Sequence, residues 1–264
     1  MSTRTPARHR VEHVMGMPVT LAMRGRHAAD RYGEEAWARA LAVLHDADRV
    51  FSTYREDSWV CRLDRGEVTV ADCPPEVGEV LALGELARLQ SGGAFDVRRT
   101  GPDGRTTLDP SGVVKGWAVQ RAAAAFDALA DTDACLSAGG DMVCRVAGPG
   151  SPDWRIGIED PHDPTRVVAV VPVRNGALAT SALTHRGGHV VDARTGEVPT
   201  GVASVTVVAA DLTWADIDAT AAFAQGDAAL PWLRTRPGRT GVVVGPDGSV
   251  EVFTGAALSP RGAR

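Results

Sequence analysis

Apolar and polar positions along the chain recur at two spacings, and these divide it into strands and helices. Alternation over residues 11–24, broken at Met15-Gly-Met-Pro18, predicts a strand pair. Over residues 34–51, Ala36, Trp37, Ala40, Leu41, Leu44, Ala47 and Val50 fall at helical spacing. Asp57 is placed to cap a short helix through Leu63, and a longer helix is expected from Pro75 to Gln90, stopping at Ser91-Gly-Gly93. A third begins after Pro110-Ser-Gly112 and carries Val113, Val114, Trp117, Ala118, Ala122, Ala125, Phe126 and Leu129 on its buried stripe. Residues 134–147, 154–158, 166–173 and 202–209 are rich in β-branched residues and read as strands. A helix over 211–225 follows, then a hairpin of 241–244 and 250–253 turning at Pro246-Asp-Gly248. Strands and helices mix without strict βαβ alternation. The expected fold is α+β, a mixed sheet with packed helices, rather than a doubly wound one.

Composition narrows the function classes. The 264 residues are 44% hydrophobic and 23% charged, which is globular, and the formal charge is −5. That balance argues against a nucleic-acid binder, and 5% aromatic residues do not favour a stacking platform for single strands. No window approaches 18 uninterrupted apolar residues, so direct membrane insertion by a helix is not expected. The basic N-terminus lacks the apolar core of a signal peptide, and the expected location is the cytoplasm. The four cysteines form no Cys-x-x-Cys pair and are expected as thiols, with Cys135 and Cys144 buried.

Three segments carry candidate chemistry. In Leu108-Asp-Pro-Ser-Gly-Val-Val-Lys-Gly116 a strand ends at Asp109, the chain turns, and a helix starts with Lys115 in its first turn. A helix N-terminus favours an anion, Gly112 permits close backbone approach, and Lys115 adds a point charge suited to phosphate. An ordinary capped helix with a solvated lysine has the same local pattern. In the helix over 211–225, Asp216 and Thr220 stand four apart and share a face. A carboxylate and a hydroxyl so placed suit a hard cation such as Mg²⁺. The alternative leaves Asp216 and Asp218 solvated or complementing the helix N-terminus. The third segment, residues 177–196, gathers hydroxyls, His185, His189 and Asp192 around glycines. His189 fits a base facing a cleft or a satisfied histidine equally well. Gly187-Gly188 between the two histidines disfavours a helical zinc pair.

Taken in order, these blocks resemble the ApbE family of flavin transferases. The matching blocks are Met15-Gly16, Phe51-Ser-Thr-Tyr-Arg55, Gly93-Ala-Phe-Asp96, the segment 108–116 and Ser137-Ala-Gly-Gly-Asp141. They continue with Trp154-Arg-Ile-Gly-Ile158, Ala179-Thr-Ser181, His189-Val-Val-Asp192 and Ala215-Asp216 with Ala219-Thr220. The resemblance implies one catalytic domain over residues 11–255, between a disordered tail 1–10 and a tail 256–264. It implies FAD as substrate, cut at its diphosphate so that AMP leaves and FMN is joined to a Thr or Ser hydroxyl of an acceptor flavoprotein. It also implies Mg²⁺ held by Gly112, Asp216 and Thr220. The flavin contacts it implies are Met15, Tyr54, Ala94, Phe95, Asp96, Asp109, Lys115, Ser181 and His189.

Phosphoryl transfer needs charge neutralisation and in-line positioning. Asp216 is then expected in the catalytic set, and His189, with an unperturbed pKa of about 6.5, is the candidate acceptor of the hydroxyl proton. The chain departs from the family's pattern at Ala182, at Ala193, and in having only twelve residues between Asp96 and Asp109. An FAD diphosphatase and a non-catalytic FAD-binding protein are the alternatives. A homodimer is compatible with the sequence.

Overall fold

The computed structural model describes residues 6–101, 104–182 and 190–257. An eight-stranded sheet runs in the order β1 (Arg8–Val14), β2 (Met17–Gly25), β5 (Thr132–Ala138), β6 (Asp141–Arg145), β9 (Gly176–Ala182), β10 (Ser204–Ala209), β11 (Thr240–Val244) and β12 (Val250–Thr254). Two hairpins stand apart from it, β3 (Arg98–Thr100) with β4 (Thr106–Leu108), and β7 (Trp154–Asp160) with β8 (Asp163–Val173). The α+β class is as expected, but every ladder of the large sheet is antiparallel rather than mixed. Tight turns explain much of this. Met15 and Gly16, with φ of 56° and 70°, close β1 on β2, and Gly139 and Gly140, at 59° and 95°, close β5 on β6.

The sheet's period-2 alternation sorts its two faces. Leu21, Met23, Leu136, Val143, Val205 and Val207 face the helices and join the main core. Ala22, Cys135, Met142 and Cys144 face the other way and meet Trp154, Ile156, Val171 and Val173. The β7–β8 hairpin therefore covers the face opposite the helices. Cys135 and Cys144 are buried, unbridged, and directly opposed across β5 and β6, as their apolar surroundings predict.

The helical layer comprises α1 (Arg31–Phe51), α2 (Trp59–Asp64), α3 (Pro75–Gln90), α4 (Ser111–Ala123), α5 (Leu212–Ala224) and α6 (Ala229–Arg234). Asp30 begins α1 by accepting from the amides of Tyr32 and Gly33 at 3.0 and 3.2 Å. The cap of α2 is Ser58 rather than Asp57. Ser58 Oγ accepts from Cys61 N at 3.0 Å, while Asp57 pairs with Arg55. The stripe expected to run to Leu129 in one helix leaves α4 at Ala123 and continues through a 3₁₀ turn, with Phe126 and Leu129 still buried. β1 begins at Arg8, within the expected tail, because its residues ladder onto β2 and Arg10 pairs with Glu34.

Eleven of the 13 residues of α5 are buried, so this helix is enclosed on nearly all sides, between the sheet and α4. The approach of α4 depends on Gly116. A Cβ there would lie 2.8 Å from the Leu212 carbonyl oxygen and 2.8 Å from Asp216 Cβ. Gly116→Ala gains helix propensity of up to ~1 kcal/mol but must push the helices apart. Urea unfolding is expected to show a net loss of about 1–3 kcal/mol. A variant as stable as the wild type would show that the contact relaxes freely.

Candidate active site

A cavity of about 530 Å³ opens where the N-terminus of α4, the middle of α5 and the turn after α3 meet. Of the residues singled out in the sequence, Ala94, Phe95, Asp96, Asp109, Gly112, Lys115, Ser181, Asp216 and Thr220 line it. Met15 and Tyr54 do not line it. Tyr54 is 96% exposed in the loop between α1 and α2, and Met15 packs against the main core from the β1–β2 turn. His189 lies outside the described residues, as does His185. Val190, covalently next to His189, lines the cavity.

Lys115 is the hinge of the electrostatics. Its ammonium contacts Asp141 Oδ2 and stands 3.2 Å from Asp216 Oδ1, both carboxylates being buried. Burial alone would pull the lysine's pKa down, but Asp216 and Asp141 outweigh it and hold the group charged above its ordinary value. For Asp216 burial dominates and raises the carboxyl above its ordinary range; Asp141 adds to this and Lys115 opposes it. Asp141 Oδ1 also accepts from Thr180 N at 2.9 Å, binding β6 to β9 through a side chain. Lys115 is thus held in a buried ion pair, and the alternative of a solvated lysine does not apply. Asp141 was singled out only as part of a glycine break, and spacing alone gives no sign that it faces Lys115.

Asp216 and Asp218 divide their duties. Asp216 Oδ2 accepts from Gly116 N at 2.9 Å, and in a regular helix that amide's partner is the carbonyl of Gly112. Asp218 points away and is neither solvated nor near the helix start. It is buried between Arg236 Nε at 3.1 Å and Arg239 Nε at 2.7 Å. Thr220 Oγ1 lies 3.2 Å from Ser181 Oγ, which brings β9 and α5 together by their hydroxyls.

Gly112 is packed so closely on Phe95 that a Cβ would fall 2.9 Å from the ring. Phe95 is itself buried, and its ring supports the turn from below. Ser91 Oγ accepts from Phe95 N at 3.0 Å, so the α3 terminus positions the ring. The segment after residue 189 closes another side. Ala193 N donates to Ala94 O at 3.1 Å, and Asp192, its carboxyl held below the ordinary range by Arg194, sits in a turn closed on Gly196.

A hard cation suits this donor set. The groups of Asp216, Thr220, Ser181 and the Gly112 turn are all oxygen donors beside one cavity. One ammonium between two buried carboxylates also leaves the cluster one positive charge short.

A sequence model of the ApbE family matches residues 98–244, more than half of the chain. The chain belongs to the ApbE family. The curated "FAD:protein FMN transferase" of Rhodobacter capsulatus is 34% identical over an alignment of 198 residues that covers 68% of this chain and 37% of that protein. The chain thus matches little more than a third of that relative's length. Among solved structures, the flavinyl transferase ApbE of Pseudomonas stutzeri in its apo form superposes with a TM-score of 0.77 at 21% identity, covering 96% of this chain and 97% of that one. The ApbE protein of Thermotoga maritima gives 0.76 at 21% identity, covering 93% and 96%. The family fold therefore extends over nearly the whole chain.

Lys115→Met keeps the side chain's length and strands two carboxylates in the interior. We expect a loss of about 3–5 kcal/mol at neutral pH, read by urea unfolding. Without the ammonium, the buried Asp216 carboxyl binds its proton more tightly folded than unfolded, so stability falls as pH rises. The deficit should therefore narrow as pH is lowered towards about 4, near the ordinary carboxylate pKa values. A deficit that does not change with pH would contradict a charged Lys115 cluster.

Proposed function

We propose that this chain is a flavin transferase, which cuts FAD at its diphosphate and joins FMN through a phosphoester to a Thr or Ser hydroxyl of an acceptor flavoprotein, releasing AMP. The carrying observation is that Gly112 and Lys115 on α4 meet Asp216 and Thr220 on α5 at one cavity, beside Asp96 and Asp109. These are the positions by which the sequence resembles flavin transferases, and a curated relative bears that activity in its name.

The chain's own groups suit the reaction. At the start of α4 the Ser111 amide already donates to Asp109 Oδ1, and the Gly112 amide with the helix dipole offers an anion site beside it. Lys115 holds Asp216 in place at the floor of the cavity through their ion pair. Asp216, Thr220 and the Gly112 carbonyl would hold Mg²⁺, which when bound supplies Lewis-acid charge neutralisation at the phosphates. Asp96, Asp109 and Ser181 are the proposed polar contacts to the flavin half, with Ala94 and Phe95 shaping the wall. Met15 and Tyr54 stay outside this contact set because neither lines the cavity. The acceptor hydroxyl must lose a proton, and His189 is the proposed base, its chain neighbour Val190 being at the wall. The acceptor is proposed to be cytoplasmic.

Incubation with FAD, Mg²⁺ and candidate acceptor flavoproteins should add the mass of FMN to one of them and release AMP in equal amount. Asp216→Asn is expected to lower transfer on the order of 100-fold. AMP release without any acceptor modification would instead assign an FAD diphosphatase, and FAD that stays intact would assign a binding protein. His189→Ala should lower transfer about 100-fold or more while FAD affinity, followed by flavin fluorescence, is retained. An equal loss of FAD affinity would make His189 a ligand contact rather than a base.

A further inference from the structure

On the sheet face that the helices do not cover, β5 and β6 bring two thiols into contact. Cys144 Sγ donates to Cys135 Sγ at 3.6 Å. The register explains this meeting. Gly139 and Gly140 make a two-residue turn, so the residues flanking it, Ala138 and Asp141, form a pair joined by backbone hydrogen bonds. Bonded and non-bonded pairs alternate along an antiparallel ladder, which makes Cys135 and Cys144, three steps further out, a non-bonded pair. Cα atoms in such pairs lie about 4.5 Å apart, within the ~4.4–6.8 Å that a disulfide spans. The other two cysteines are engaged elsewhere. Cys61 Sγ donates to Ser52 O at 3.5 Å and Cys73 Sγ to Thr69 O at 3.3 Å.

The cover over the pair is a separate piece of sheet. Among the described residues, β7–β8 shares no ladder with the large sheet. It rests there through Trp154, Ile156, Val171 and Val173, and Trp154 Nε1 donates to Arg145 O at 3.0 Å. Lifting this hairpin uncovers both sulfurs without breaking the β5–β6 ladder. While it is closed, the Cys144 thiol is kept protonated by its hydrogen bond to Cys135 and by burial.

We propose that Cys135 and Cys144 are a redox-convertible pair, closed to an intramolecular disulfide by a small-molecule disulfide and reopened by a small thiol. Cys135, 8% exposed against 1% for Cys144, attacks first. Its sulfur bonds to one sulfur of the reagent, the reagent's S–S bond breaks, and one small thiol leaves. Cys144 then bonds to Cys135, the mixed disulfide breaks, and the second small thiol leaves. The two cysteine protons go to those two thiols, so one protein dithiol is oxidised and one reagent disulfide is reduced. The new bond fastens the hairpin of residues 135–144, whose turn carries Asp141 to Lys115, and oxidation thereby stabilises the folded chain.

The test equilibrates the full chain, as wild type and as Cys61→Ser/Cys73→Ser, with mixtures of reduced and oxidised glutathione. One set is refolded from urea before equilibration and the other is kept unfolded in urea. Mass measurement after acid quenching counts the bonds, and peptide mapping locates them. The folded chain should form the bond between Cys135 and Cys144 on the order of 100-fold more readily than the unfolded one. Its Tm should rise by about 5 °C or more on oxidation. In Cys144→Ala the Tm should not respond to the glutathione mixture. If that variant does not fold, the comparison of folded with unfolded wild type decides alone. An equal tendency in both states would overturn the proposal, as would mixed disulfides with glutathione only, bonds to Cys61 or Cys73 in its place, or a Tm lowered by oxidation.

Discussion

One ammonium group between two buried carboxylates holds the site together. Lys115 comes from α4, Asp141 from the start of β6 and Asp216 from α5, so three elements distant in sequence share one charge balance. Such a cluster is tolerable in the interior only while each member keeps its partners. The tight turn at Gly139-Gly140 delivers Asp141, and the absence of a side chain at Gly116 lets Asp216 reach the α4 backbone. The cavity's floor is thus built from the same contacts that dock the helices on the sheet. Stability and site geometry cannot be varied independently there.

Helix α5 is the axis of this arrangement. Its alanines let it lie close against its neighbours, and its two acidic side chains leave in different directions. Asp216 serves the cavity, while Asp218 fastens the segment before β11 through Arg236 and Arg239. A helix this enclosed needs few orienting contacts from solvent-exposed groups. The hydroxyl of Thr220 is positioned by β9 through Ser181. On the sheet's far side, the β7–β8 hairpin buries Cys135 and Cys144 without touching this machinery.

Much of the fold was legible in the sequence because local signals agreed with tertiary needs. The bounds of α3 coincide with its Pro75 start and its Ser91-Gly-Gly93 stop, and Asp211 caps α5 by accepting from Trp214 N. What escaped were elements whose stability is non-local. β3 is a three-residue strand tied through Arg99 to Asp109, and β9 is rich in alanine and reads as strand only beside β6 and β10. In the site, the i,i+4 pair of Asp216 and Thr220 was legible from periodicity. The partnership of Lys115 with Asp141 was not, since nothing in spacing announces a contact across the sheet. Tyr54 shows the reverse case, a residue assigned by its block that the chain leaves in solvent.

The close approach at Gly116 has a consequence for how this site can change over generations. A side chain at position 116 must displace Asp216, and Asp216 cannot retreat without releasing Lys115, which in turn abandons Asp141. Each single step along that path strands a charge before the next step can relieve it. The floor of the cavity is therefore difficult to reach by gradual substitution, and inherited variation is channelled to its rim. The β3–β4 hairpin, tied down at its base, is where a lineage could alter the cavity's rim without first passing through an unstable protein.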